Sequence, residues 1–276
     1  MSAEGPNSLP RRRTFLVATT VLLLAAVAVP VGASLWARDR AEDALRREAL
    51  VGQLTAARSI SAQTVQGFEV ITRAVVAGAS GELAEAAIRR DSDGTNRALE
   101  TFSSATLLRA ATAYDSDGGV VGSTAAEPIP LTKRPSVLDV SGPAARGRDV
   151  YFTITTPLTA AGSHAGFLVA ELDFAALFAG GRPTPYRESG TVTVAHRSGL
   201  ILSSTEPNIS GLPLLAPLAV EQASRHVEDV GDYFAPRLGY QAISAYAPAE
   251  SQPWGTIVVA PKAEILGPVR DLDVFL

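Results

Sequence analysis

Two stretches decide the fold: Asp117-Gly118-Gly119-Val120-Val121-Gly122-Ser123-Thr124 and Ser198-Gly199-Leu200-Ile201-Leu202-Ser203-Ser204-Thr205. Each is a turn glycine that opens an apolar strand closing on a Ser/Thr pair, and the two lie 81 residues apart. A second landmark follows in each copy. One strand ends at Pro157 and, after a turn, Gly166-Phe167-Leu168-Val169-Ala170 begins the next; another ends at Pro248, and Trp254-Gly255-Thr256-Ile257-Val258-Val259 does the same. Both then enter a helix, with Ala176-Leu177 matching Ile265-Leu266, at offsets of 89 to 91. Two copies are too few for a solenoid. The order predicts two stacked α+β modules, each an antiparallel sheet with helices on one side, over residues 106–180 and 189–262.

Local signals fill in the first copy. Leu107 to Tyr114 reads as a strand, Asp115 to Gly118 as a turn and Val120 to Ser123 as the returning strand. Pro128, Pro130, Pro135 and Pro143 make 127–148 a loop with one short helical turn. Asp149 to Thr156 alternates polar with apolar residues, so Tyr151, Thr153 and Thr155 share one face while Phe152 and Ile154 take the core face. Gly166 to Asp173 reads as a strand that flows into a short helix at Phe174 to Phe178, and 181–188 reads as a linker.

Upstream, 37–105 reads as helical. A long helix covers 37–79, a second piece runs from Glu82 to Arg90, Gly94 breaks the pattern, and a third piece covers Arg97 to Ser103. From Leu54 the small and apolar positions follow a heptad, with Leu54, Ser61, Phe68 and Val75 in one row and Ala57, Thr64 and Ile71 in the other. Such a stripe suits packing on the helix's own domain, a dimer seam near the membrane, or both.

Phe15 to Trp36 holds 22 residues without a charge. At 1.5 Å rise per residue that is about 33 Å, enough to cross a bilayer core of about 30 Å. Residues 15–36 are therefore expected to be a transmembrane helix behind a cytoplasmic tail at 1–14, held inside by Arg11, Arg12 and Arg13. The other reading is a cleaved signal peptide, since Val31-Gly32-Ala33 resembles a small-residue cleavage site. Either way the modules lie outside the cytoplasm. Residues 263–276 read as a helix leading toward a second membrane span, begun at Val274-Phe275-Leu276.

The net charge is −4, with residues 1–36 at +2 and the remainder at −6. An acidic ectodomain lacks the basic face that nucleic acid demands. The chain has no cysteine, which excludes disulfides and thiolate metal sites. His164, His196 and His226 lie in separate segments without ligand-like spacing, and Asp115 and Asp117 with Gly118 lack the later acidic ligands of a calcium loop. No G-x-S-x-G elbow, phosphate-cradling loop or H-E-x-x-H is present. Neither an enzyme, a metal nor a cofactor is expected.

Anchor, long helix and two strand-rich modules in this order resemble the double Cache family of extracytoplasmic sensor domains, over roughly residues 40 to 270. The resemblance rests on the Tyr114–Thr124 hairpin, Arg134-Pro135, the Tyr151–Pro157 strand, Gly166–Asp173, the Gly199–Thr205 hairpin and Trp254–Val259. It implies PAS-like modules and a homodimeric receptor that binds a small ligand, usually in the membrane-distal module. The output would be a histidine kinase, chemotaxis transducer, cyclase or phosphatase. Occupancy of the first module would shift the 262–272 helix by about 1–2 Å relative to the 37–79 helix.

The family's amino-acid signature uses an Arg, aromatic partners and a later Asp. Arg134 and Asp173 fall at the Arg and Asp positions, suited to gripping a carboxylate and pairing with an ammonium. Pro135, Ser136 and Val137 stand where the aromatic partners would be. Asp173 also suits the N-cap of the helix at Phe174. Tyr151, Thr153 and Thr155 form a hydroxyl-lined face, joined by Tyr114 and Arg109 of the neighbouring strand; a small polar ligand or plain water would be served equally. The contrasting class is a membrane-anchored cell-envelope interaction protein without a small ligand.

Overall fold

The structure is a computed structural model that describes residues 9–106, 108–178 and 189–270. The expected linker at 181–188, the span begun at 274–276 and most of the tail at 1–14 lie outside the described residues. The chain divides into two compact units, residues 1–49 with 264–276, and residues 50–263. Helix α1 (Leu9–Gly78) contributes to both. Its N-terminal part carries a stretch long and apolar enough to cross a membrane, with none of that stretch buried against the protein.

The 50–263 unit is built on two five-stranded antiparallel sheets. The first contains β1 (Leu108–Asp115), β2 (Val120–Ser123), β3 (Asp139–Arg146), β4 (Asp149–Ala160) and β5 (Ser163–Asp173), in the order β2-β1-β5-β4-β3. The second contains β6 (Thr191–His196), β7 (Ile201–Ser204), β8 (Asp229–Ala235), β9 (Tyr240–Pro248) and β10 (Trp254–Pro261), in the order β7-β6-β10-β9-β8. The orders are identical, so the repeated landmarks are two copies of one topology. The Ser/Thr pairs that close each hairpin show why those residues recur. Thr112 Oγ1 and Ser123 Oγ lie 2.9 Å apart, as do Thr193 Oγ1 and Ser204 Oγ. The Ala111 N–H donates to Thr124 Oγ1 at 2.8 Å, and the Val192 N–H to Thr205 Oγ1 at 2.9 Å.

One face of the first sheet packs on α1, α2 (Glu82–Ile88) and α3 (Ser92–Thr106). The heptad rows of α1 are consumed here. Phe68, Ile71 and Val75 enter the core of the first sheet, while Ala57 packs against Val192, Ala247 and Val258 of the second. Ser61 and Thr64 are buried between them in sequence. The stripe therefore serves the helix's own domain, because burying each large side chain there yields about 1.5–3 kcal/mol.

Three local expectations need correction. Segment 127–148 is not all loop, since Asp139–Arg146 forms β3. It is an edge strand whose register shifts between Ser141 and Ala144, across the cis Gly142–Pro143 bond, and an edge bulge tolerates proline. β4 continues through Pro157 to Ala160. Its ladder with β3 stops at Thr155, so Pro157 has a sheet partner only in β5. Gly94 does not interrupt a helix, because α3 starts at Ser92 and the Asp91 carboxylate accepts the Gly94 N–H at 3.0 Å. In a first turn that donor has no intrahelical partner to lose.

The first hairpin turn is held by one carboxylate. Asp115 Oδ1 accepts the Asp117 and Gly119 N–H groups at 3.0 and 2.7 Å, and Oδ2 pairs with Arg90 at 2.9 Å. The Gly119 N–H first, then Arg90, holds this carboxyl below the usual aspartate range against the opposing pull of burial. A depressed folded pKa stabilises the fold above the unfolded value of about 3.9, and that contribution is lost as pH falls through the folded pKa. Asp115→Asn is expected to cost about 1–2 kcal/mol at pH 7, with the two melting curves converging toward pH 2. A constant gap across that range would disprove the electrostatic origin.

Candidate functional site

Among the described residues no helix packs on the other face of the first sheet. Cross-strand register places Ala110, Glu171, Thr153 and Ser141 in one row, and Thr112, Val169, Thr155 and Asp139 in the next. Tyr114 and Phe167 form a third row, and Tyr151 pairs with Asp173 at the opposite end. The alternation of β4 thus brings Tyr151, Thr153 and Thr155 to one face with Tyr114, while Phe152 and Ile154 enter the core behind it.

The face has an apolar end and a polar end. At the apolar end Tyr114, Phe167, Val169 and Ala110 are covered by a strap of chain carrying Ala125, Ile129 and Leu131. Two bonds pin it: Thr112 Oγ1 accepts the Ile129 N–H at 3.0 Å, and the Tyr114 hydroxyl donates to the Ile129 carbonyl. Burial pushes the Tyr114 phenol above its usual range, with the Leu131 N–H pulling the other way.

The polar end is built on Glu171. Its side chain is only 3% exposed, and Arg146 Nη2 reaches Oε1 at 3.1 Å with Nη1 at 3.4 Å from Oε2. The same guanidinium lies over the Tyr151 ring, 4.8 Å from its centroid. A carboxylate shut off from solvent requires such a partner. Arg146 is itself more than half exposed, so a charged pair sits at the rim of a hydroxyl-bearing face. The sequence reading missed both residues. The available signal was a lone glutamate in the apolar run of β5.

The remaining expected residues are engaged elsewhere. Arg134 is exposed and donates to the Asp117 carbonyl at 2.8 Å, across the first hairpin turn. Arg109 sits at the irregularity between Leu108 and Ala110 and pairs with Asp149 at 3.0 Å. Asp173 Oδ1 accepts the Ala175 N–H at 2.9 Å, capping the 3₁₀ helix Phe174–Phe178.

The second sheet places Thr191, Thr193, Ile257 and Val259 at the positions equivalent to Ala110, Thr112, Val169 and Glu171. Helix α4 (Pro217–Arg225) covers part of this face. Beside it lies a small cavity of about 40 Å³. Among the described residues no three His, Asp or Glu side chains gather in a metal-holding arrangement. The His226 ring is committed, with Nε2 to the Ala249 carbonyl at 3.2 Å and Nδ1 to the Tyr246 hydroxyl at 3.1 Å.

No protein-family profile matches the chain, and no curated protein matches its sequence. Solved structures do. The periplasmic sensory domain of the Campylobacter jejuni chemoreceptor Tlp1 superimposes with a TM-score of 0.60 at 14% identity, over 81% of this chain and 99% of that one. The extracellular domain of rpHK1S-Z16, named as a histidine kinase, gives 0.58 at 15% identity, over 80% and 97%. The ligand-binding domain of Mlp24 with asparagine gives 0.52 at 12% identity, over 84% and 98%. With two equivalent five-stranded sheets strung along one long helix, the chain has the Cache-like fold of the extracytoplasmic sensor domains of histidine kinases and chemoreceptors.

Proposed function

We propose that this chain is the ligand-sensing region of a bacterial signal-transduction receptor, anchored by residues 15–36 with its N-terminus in the cytoplasm and both modules outside. The observation that carries the reading is the face of the first sheet on which no described helix packs, where Tyr151, Thr153, Thr155 and Tyr114 line up beside the buried Glu171 and its exposed partner Arg146. Such a face offers a small polar molecule hydroxyls, a guanidinium and a carboxylate on one rigid surface. Tyr151 and Thr153 would contact the ligand, with Arg146, still paired with Glu171, offering the free N–H donors of its exposed guanidinium to a ligand anion. Arg109, Arg134 and Asp173 ring the same module and would act by holding its edges. The fold relatives lend support, since Mlp24 and the Pseudomonas fluorescens chemoreceptor CtaA are solved with asparagine and L-isoleucine respectively. Ligand occupancy would pass to the membrane through the helices of a homodimer.

The test is thermal-shift screening of the full chain in detergent against amino acids, small carboxylates and amines. A ligand at one hundred times its Kd stabilises by about 2.7 kcal/mol. The stabilisation should fall at least tenfold in potency in Thr153→Val and Tyr151→Phe, which remove hydroxyls and little volume. If every hit survives both changes, the ligand face is elsewhere; if the screen yields none, the envelope interaction protein becomes the better reading.

A further inference from the structure

The β3–β4 hairpin of the first module touches the second module at its tip. Its loop is Gly147 and Arg148, closed by the Arg146–Asp149 pair. Gly147 leads the loop at φ +66°, and glycine in that place gives a tight turn whose twist matches the flanking strands. A loop this short passes any displacement of its tip to the residues beside it. Arg146 stands immediately before the tip, and Tyr151, paired with Ala144, stands just beyond it.

In the second module the 208–211 turn meets this tip. That turn is fastened to β7: the Gly211 N–H donates to the Ile201 carbonyl at 2.8 Å, and the Ile201 N–H donates to the Leu212 carbonyl at 2.9 Å. Two contacts cross to the hairpin. A Cβ on Gly211 would stand 2.7 Å from the Gly147 carbonyl oxygen and 3.5 Å from the Arg148 Cα, so only glycine lets the two backbones come this close. Beside it Arg148 Nη1 donates to Asn208 Oδ1 at 2.5 Å. Asn208 has φ +65° and Gly211 φ +78°, so both left-handed residues of the turn are contact residues.

The hairpin is also tied to the candidate ligand face. Arg146 reaches Glu171 at 3.1 Å and lies over the Tyr151 ring, and Asp149 pairs with Arg109 at 3.0 Å. Its own ladder holds it weakly, because β3 is an edge strand whose register shifts between Ser141 and Ala144. We propose that the 208–211 turn positions the ligand face: Asn208 and Gly211 of the second module set where the β3–β4 tip lies, and through it where Arg146 and Tyr151 stand. Both are positioning residues, and their functional meaning rests on the reading of that face as the ligand face. Coupling between two contacts at equilibrium is reciprocal, so a change at Arg146 is felt at the 208–211 turn as well.

The experiment is hydrogen–deuterium exchange on the full chain in detergent, with no ligand present. Gly211→Ala should speed amide exchange across 141–153 at least threefold and leave the β1–β2 hairpin unchanged. Gly239→Ala is the backbone control: it has φ +72° in the same module, but a Cβ there meets nothing within 4 Å, so 141–153 should exchange as in the wild type. Asn208→Gly removes the acceptor for Arg148 while easing a left-handed backbone. It should speed exchange across 141–153 without lowering the melting temperature, a separation that a residue serving only its own module's stability would not produce. In reverse, Arg146→Gln combined with Glu171→Gln removes the charged pair without stranding a buried charge, and should speed exchange of the Gly211 and Leu212 amides at least threefold. The proposal is overturned if 141–153 is unchanged in both Gly211→Ala and Asn208→Gly, if Gly239→Ala speeds it as much, or if the double variant leaves Gly211 and Leu212 unchanged. A ligand screen without hits would remove the proposed function and leave this tie standing; unchanged exchange would do the reverse.

Discussion

Trp254→Ala is expected to destabilise the 50–263 unit by about 3–5 kcal/mol, the range for emptying a large aromatic site in a packed core. Trp254 opens β10, a strand of the second sheet, yet its ring lies in the core of the first module. Its centroid is 5.2 Å from Phe68, 5.4 Å from Phe152 and 5.5 Å from Phe174, in edge-to-face arrangements between 61° and 81°. Those partners belong to α1, β4 and the short 3₁₀ helix, so one side chain fastens the second sheet to three elements of the first module. Each such aromatic pair adds about 0.5–1.5 kcal/mol beyond its buried area. Among the described residues the indole N–H has no hydrogen-bond partner, so Trp254→Phe forfeits volume and contacts but no polar bond and should cost clearly less than alanine. For a unit of about 200 residues, 3–5 kcal/mol corresponds to about 6–20 °C in Tm. A loss below about 1 kcal/mol in denaturant melts of the full chain would mean that the two modules do not share a core.

The legible parts of this molecule are those where local chemistry is tied to one backbone outcome. A turn glycine such as Gly118 or Gly199, at φ +90° and +85°, can hardly be anything else, and the Ser/Thr pairs after it are fixed by the bonds they exchange across the hairpin. The central strands β4, β5, β9 and β10 are long and strongly apolar. Edge elements are different. β3 carries Gly142 and Pro143, and β8 is half-exposed along most of its length, so neither has a core pattern to display. Helix α4 is a nine-residue segment started by Pro217, too short to show a period. The α1 stripe illustrates another limit, because periodicity marks a buried face without naming what buries it.

The site divides in the same way. Period-2 alternation sufficed to put Tyr151, Thr153 and Thr155 on one face, since the pleat leaves no alternative once Phe152 and Ile154 are inside. The Arg146–Glu171 pair was hidden because Arg146 lies in the segment read as loop; without β3 there is no neighbour to bring it over β5.

Gly166→Ala should be nearly as damaging as loss of Trp254, at about 3–5 kcal/mol, for a reason that involves no buried side chain. Gly166 has φ +145°, and a Cβ there would sit 1.9 Å from the Tyr114 carbonyl oxygen and 2.9 Å from the Tyr114 and Asp115 carbonyl carbons. The obstruction is backbone on both counts, so no rotamer change relieves it. Nor can β5 simply move away, because Gly166 is paired with Asp115 of β1 on one side and Leu158 of β4 on the other. Retreat from Tyr114 would break the ladder that carries Phe167, Val169 and Glu171, and would shift the phenol that pins the strap. Gly162 separates the two contributions. It also has a positive φ, +80°, but a Cβ there meets nothing within 4 Å. Gly162→Ala therefore carries only the left-handed backbone penalty, about 1–2 kcal/mol. The difference between the two variants in equilibrium unfolding measures the close approach of β5 to β1. Equal losses would show that backbone conformation alone explains Gly166, and would remove the steric argument for how that face of the first sheet is held in register.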